Sequence, residues 1–233
     1  MPPKDFVAVL SGDLVKSRGL EGKRQEAMDG LVQAIETARN HLAPKQCRLL
    51  FSGFYRGDAF QCGLSDPGHS LWTAAFLRTE LIKLRGSGLR VDARLGLGWG
   101  AASEWDESNI SASDGEAFHL SGKALDSLSS GKEKYRRLLM LSPWPIHNEL
   151  LSAISAFLDA MIQRWTPEQA QAISLFLREK GQEEISRILR ISQPAVQTRL
   201  QTAGHFALKE ALDLFSQIIA GKIIEPGLDK PRI

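Results

Sequence analysis

Phe6-Val7-Ala8-Val9-Leu10-Ser11-Gly12-Asp13-Leu14 is the stretch on which the fold turns. A short apolar run that stops at Gly-Asp reads as a buried central strand closing in a turn. Working outward, a helix is expected from Gly22 to about Leu42, where Leu31, Ile35, Ala38 and Leu42 recur at three- and four-residue steps. Cys47–Phe51 and Ala59–Leu64 then flank the Gly-rich turn Ser52–Asp58, the pattern of a hairpin with a longer loop, with Asp58 at the start of its second strand. A symmetric register places Cys47 opposite Cys62, two small core residues rather than a disulfide.

Pro67 opens a second helix whose apolar face is Leu71, Ala74, Ala75, Leu77, Leu81 and Leu84, stopped by Gly86-Ser87-Gly88. Val91, Ala93, Leu95 and Leu97 alternate with Asp92, Arg94 and Gly96, a half-buried strand. The order strand, helix, strand, strand, helix, strand is that of ferredoxin-like and palm domains, an α+β class. An irregular stretch to Asp114, a helix from near Gly115 and a strand at Leu138–Leu141 complete a domain over residues 1–145, bounded by Pro143 and Pro145. Residues 146–165 form a connector helix with a wide apolar face, suited to joining domains or to a dimer contact.

Residues 166–220 read as an all-α helix-turn-helix domain. Thr166-Pro167 caps its first helix, a turn holds Arg190-Ile191-Ser192, and the helix from Gln193 to Ala203 buries Ala195, Val196 and Leu200. Outward positions Gln193, Gln197, Thr198, Arg199 and Gln201, with Arg187 and Arg190 beside them, suit base edges and phosphates. A small bundle for protein contact is the alternative. Residues 221–233 read as a flexible tail.

The chain has 233 residues, 43% hydrophobic and 24% charged, with a net charge of +2. That charge neither announces nor excludes a nucleic-acid protein. No stretch approaches the roughly 20 apolar residues of a membrane helix, and the apolar run behind Met1–Asp5 is too short for a secretory signal. Two cysteines without a Cys-x-x-Cys pair fit a reducing cytoplasm and no zinc site.

In the expected strand order Asp13 and Asp58 converge at one sheet edge, with the Leu14 carbonyl beside them. Two carboxylates there suit magnesium or manganese carried by a nucleoside triphosphate, because such an ion keeps water and phosphate oxygens as its remaining ligands. Lys16, Ser17 and Arg18 follow directly and would favour a polyphosphate.

Four stretches resemble, in order, the catalytic domains of class III nucleotidyl cyclases: Leu10–Leu14, Arg56–Gln61, Arg94–Gly100 and Gly115–Lys123. The whole chain looks like the SatD family, and its tail resembles sigma-factor region four. The cyclase resemblance implies that Asp13 and Asp58 hold two metal ions about 3.5–4 Å apart for an in-line displacement. It also implies that the fourth stretch completes the site across a homodimer, with His119 and Lys123 where cyclases carry the transition-state Asn and Arg. Lysine keeps the charge but loses the bidentate fork. Phe54 and Ala112 stand at the base-reading positions. These readings converge on a nucleotide- and metal-responsive DNA-binding regulator. The alternatives are an active cyclase or nucleotidyltransferase and a silent dimeric scaffold. Trp99, between Gly98 and Gly100, is expected over the hairpin or a dimer partner, or stacked on a base.

Overall fold

The computed structural model describes residues 6–15, 23–55, 57–89, 91–104, 106, 110–130 and 135–224. The chain runs β1 (Phe6–Val15), α1 (Arg24–Leu42), β2 (Leu49–Tyr55), β3 (Ala59–Leu64), α2 (Ser70–Lys83), β4 (Asp92–Glu104), β5 (Asp114–Gly115), α3 (Glu116–Ser129) and β6 (Leu138–Leu141). It continues all-helical with α4 (Pro145–Ile162), α5 (Pro167–Leu177), α6 (Gln182–Leu189), α7 (Gln193–Thr202) and α8 (His205–Ile224). The molecule is thus a mixed helix-and-sheet fold, and no helix among the described residues is long and apolar enough to cross a membrane.

The sheet order is β2-β3-β1-β4-β5, antiparallel throughout, and β6 joins β4 in parallel. The opening apolar run therefore lies where it was expected, between β3 and β4. Pleating splits β1 cleanly. Ala8, Leu10 and Leu14 enter the main core with residues of α1 and α2, whereas Val7 and Val9 pack with Ala117 and Phe118 of α3. The same alternation along β4 sends Ala93, Leu95, Leu97 and Trp99 to the core face. Arg94, Gly96, Gly98 and Gly100 fall on the face covered by α3.

Several local expectations change. Cys62 pairs with Phe51, and Cys47 precedes β2, because β2 continues from Ser52 to Tyr55, which were expected as turn, and Tyr55 pairs directly with Ala59. Both cysteines are free and buried, and burial pushes the thiols up to about 11 for Cys47 and about 12 for Cys62. β4 extends to Glu104, well past Leu97. Trp99 does not reach solvent. It is fully buried, its ring lies 5.4 Å from Phe215 of α8, and its Nε1 donates to Ser70 Oγ at 2.9 Å. Base stacking by Trp99 is thereby excluded. The last helix continues through Gly221 to Ile224, and residues 225–233 lie outside those described.

The C-terminal helices share the core of the sheet. Ile162, Trp165, Ile173, Leu208 and Phe215 belong to one cluster with Leu10, Phe60 and Leu71. Polar contacts tie the same surfaces: Trp72 Nε1 donates to the Leu177 carbonyl at 3.0 Å, and Ser174 Oγ bonds Glu80. Residues 146–165 act as a packed element of this core, with Leu151, Leu158 and Ile162 turned inward.

His41 stacks on Trp72 at 4.7 Å, and its buried Nε2 has no hydrogen-bond partner among the described residues. Burial first, and then Lys45, hold its pKa below the usual histidine value; burial does the same for His69. The unfolded chain therefore takes up protons at a higher pH than the folded one. Stability is expected to be complete above about pH 6.5 and to fall as pH drops through it. Urea midpoints measured from pH 7.5 to 5.5 test this, and His41→Phe should flatten the decline. An unchanged slope in that variant would contradict the assignment.

Candidate functional site

The end of β1 gathers most of the predicted site. Asp13 lies opposite Ala59 of β3 on one side and Arg94 of β4 on the other. Asp58 immediately precedes Ala59, in the turn after Gly57, whose φ of +92° suits a residue without a side chain. Both aspartates thus stand at the same end of neighbouring strands. Leu14 continues the ladder opposite Ala93, with its side chain in the core.

Arg94 changes the chemistry of this corner. Its Nε and Nη2 donate to the two oxygens of Asp13 at 2.9 and 2.7 Å, a bidentate pair that is half-buried on both sides. The register makes this pairing natural, since residues directly opposite in an antiparallel sheet share a face. As folded, this donor set does not fit a resident metal ion, because a guanidinium already occupies both oxygens of one carboxylate. Among the described residues, no group of three His, Cys, Asp or Glu side chains is placed to hold one.

Two residues further along β1, Val15 borders a cavity of about 490 Å³ lined also by Arg85, Val91, Asp92, Arg137, Gln163 and Pro167. Arg85 donates to the Val91 carbonyl and to Asp92, both at 3.3 Å. Burial lowers its pKa from the usual arginine value, partly offset by Asp92. The Arg137 backbone N–H donates to Asp159 at 2.5 Å. The cavity therefore presents two guanidiniums beside the end of β1. Lys16, Ser17 and Arg18, the expected phosphate contacts, lie outside the described residues.

Beneath the cavity stands a feature that sequence reasoning missed. Arg78 of α2 is fully buried, donates twice to Asp92 at 3.0 Å, and reaches Asp159 of α4 at 2.7 Å. Burial opposes its charge, yet Asp92 and Asp159 outweigh burial and raise its pKa. The signal was present: Leu71, Ala74, Arg78 and Leu81 share one helical stripe, so the arginine sits on a face that is otherwise apolar.

His119 and Lys123 are not brought to the aspartates. Both are exposed on α3, and His119, 77% exposed, has Asp114 at 3.4 Å. The sheet-facing side of α3 instead carries Ala117, Ser121 and Ala124, with Ser121 Oγ bonded to Ser11 Oγ at 2.9 Å. Of the base-reading positions, Phe54 packs edge-on to Phe60 at 6.0 Å, and Ala112 is exposed.

In the helical part, α6 and α7 are joined by a three-residue turn. Arg190 adopts the left-handed conformation at φ 54°, and Ser192 Oγ accepts from the Ala195 N–H at 3.3 Å as the cap of α7. Val196 and Leu200 are buried as expected. Arg187, Arg190, Gln193, Gln197, Thr198 and Gln201 are exposed, and Arg199 is half-buried.

Comparison with protein-family models and with curated proteins returned no match.

Proposed function

We propose that the chain is a nucleotide-responsive regulator that contacts DNA through α6 and α7. The strand order β2-β3-β1-β4, with crossover helices α1 and α2, supports a ferredoxin-like, palm-type reading of the sheet. The observation that carries the proposal is the mounting of the helix pair. α5 packs on α2, α6 and α7 pack on α5, and all share one continuous core, with a row of arginine and glutamine side chains turned to solvent. A ligand at the end of β1 would act on elements that share packing with the reading helix.

The bidentate Asp13–Arg94 pair suggests how a nucleotide would register. Triphosphate oxygens compete with Asp13 for the same guanidinium and gain Arg85 and Arg137 nearby. The released Asp13, with Asp58, then faces the magnesium or manganese ion that the triphosphate carries. His119 and Lys123, exposed on α3, would reach such a ligand only in a second copy of the chain, consistent with a homodimer. The cyclase reading draws on the placement of Asp13 and Asp58 at one sheet end, but it too requires Arg94 to leave Asp13.

Fluorescence anisotropy with duplex DNA tests the reading half. Binding should weaken steeply between 50 and 200 mM salt, and Arg187→Ala or Arg190→Ala should each reduce the salt slope by about 1. Absence of salt-dependent binding would remove the DNA assignment. For the ligand half, triphosphate with Mn²⁺ should raise the unfolding temperature in the parent and leave Asp13→Ala unmoved. Release of cyclic product or pyrophosphate, lost in Asp13→Ala, would replace the regulator by an enzyme.

A further inference from the structure

A second cavity, of about 420 Å³, lies far along the chain from the β1 corner, where the sheet-bearing part meets the C-terminal helices. Five parts of the chain wall it: Lys45 in the turn after α1, the turn before α2, the first turn of α2, the end of α5 with the α5–α6 connection, and the middle of α8. Its apolar lining is Trp72, Phe176 and Leu212, all half-buried, so apolar surface left uncovered by the fold faces this space. The Trp72 ring is held flat by stacking on Phe76 at 5.0 Å and on His41 at 4.7 Å, and its Nε1 is already committed to the Leu177 carbonyl. The ring is therefore fixed in place, and it brings the cavity apolar surface rather than a hydrogen bond.

Three ammonium groups from three separate segments stand around this lining: Lys45, Lys180 and Lys209. Among the described residues each pairs with an exposed carboxylate. Lys45 pairs with Glu179 at 2.5 Å, Glu179 being 69% exposed; Lys180 pairs with Glu184 at 2.7 Å, and Lys209 with Asp213. Exposed pairs of this kind contribute roughly 0–1 kcal/mol, so an incoming anion can take over an ammonium at small cost. Glu179 itself sits at φ 63°, a conformation unusual for a residue with a side chain, directly at the cavity wall.

We infer that this cavity binds a small organic anion with a flat apolar body, the ring system lying against Trp72, Phe176 and Leu212 and the anionic group reaching Lys45 or Lys209. The volume falls in the range of ligand pockets, and the composition, apolar walls with a few converging charges, is that of a site that orients its ligand. Because the α5–α6 connection forms one wall, the occupant touches the segment from which the helix pair departs.

The test uses 8-anilino-1-naphthalenesulfonate, a flat aromatic sulfonate, titrated into the full chain with native near-ultraviolet circular dichroism retained. Saturable one-to-one binding is expected. It should weaken about tenfold when Lys45 and Lys209 are both changed to alanine, the loss of a charge-assisted contact. Phe157→Ser, which removes an 80%-exposed ring on α4, should leave it unchanged, as should Asp13→Ala. Neutral N-phenyl-1-naphthylamine should bind about fivefold or more weakly than the sulfonate, again through the missing charge contact. Binding that survives the lysine double variant, that disappears with Phe157→Ser, or that fails to distinguish the neutral probe would overturn the inference. Since Asp13→Ala abolishes only the metal–triphosphate response, failure here and failure of the β1 site are read separately.

Discussion

Arg78→Met is expected to destabilise the chain by about 3–5 kcal/mol, the range observed when one partner of a buried ion pair is removed. The size follows from what the substitution strands. Asp92 and Asp159 are almost completely buried, and among the described residues Arg78 is the fully buried cation that both share. Among the described residues the other partners shown are the half-buried Arg85 and the N–H groups of Ala93 and Arg137, which do not neutralise two carboxylates. At about 2–4 °C per kcal/mol for a chain of this length, the unfolding temperature should fall by roughly 10 °C. Adding Asp92→Asn and Asp159→Asn should recover part of the loss, because a carboxamide keeps an oxygen for the Ala93 and Arg137 N–H groups without a buried charge. If the triple variant is less stable than Arg78→Met alone, charge burial is not the cause. The network joins α2, β4 and α4 under the arginine-lined cavity, so the proposed ligand, in drawing on Arg85, would pull on the same Asp92.

The succession of strands and helices along the chain was legible because the two kinds of element differ in period. Phe6–Leu10 is a continuous apolar run, as a strand covered on both faces should be; Val91–Leu97 alternates and reads as half-buried, yet β4 is an interior strand buried on both faces, because glycines at 96 and 98 let α3 cover its second face. The helices followed from their stripes and caps, Thr166 and Ser192 among them. The pairings between distant side chains were not legible in the same way. Asp13 reads as a free metal ligand until the register shows that Arg94 is directly opposite, and register is a long-range property that no window of sequence contains. Trp99 looks available between two glycines until α8, over a hundred residues later, places Phe215 against it. Arg78 was the exception that could have been found, since one charge in an apolar stripe signals a buried partner.

The glycines of Arg94-Leu95-Gly96-Leu97-Gly98-Trp99-Gly100 decide how much chemistry the cyclase resemblance can claim there, and Gly98→Ala is the measurement. A Cβ at Gly98 would stand 2.4 Å from the Ser121 nitrogen and 2.5 Å from the Ala117 oxygen; at Gly96 it would stand 2.3 Å from the Ser121 oxygen. These are backbone atoms of α3, so no rotamer change relieves the clash and the helix must lift from the sheet. Overpacking of this kind costs about 1–3 kcal/mol and more when backbone has to move, so Gly98→Ala is expected at or above about 3 kcal/mol, with Gly96→Ala similar. Gly122→Ala is the matched control on the same helix: nothing lies within 4 Å of its Cβ, and alanine there should add up to about 1 kcal/mol through helix propensity. Opposite signs for two identical substitutions would establish that the glycine row exists to seat α3. The row would then assign no role in phosphate chemistry to this strand beyond Arg94, the one side chain on that face that meets Asp13. If Gly98→Ala instead leaves urea unfolding unchanged, α3 does not lie on the sheet as closely as these distances require.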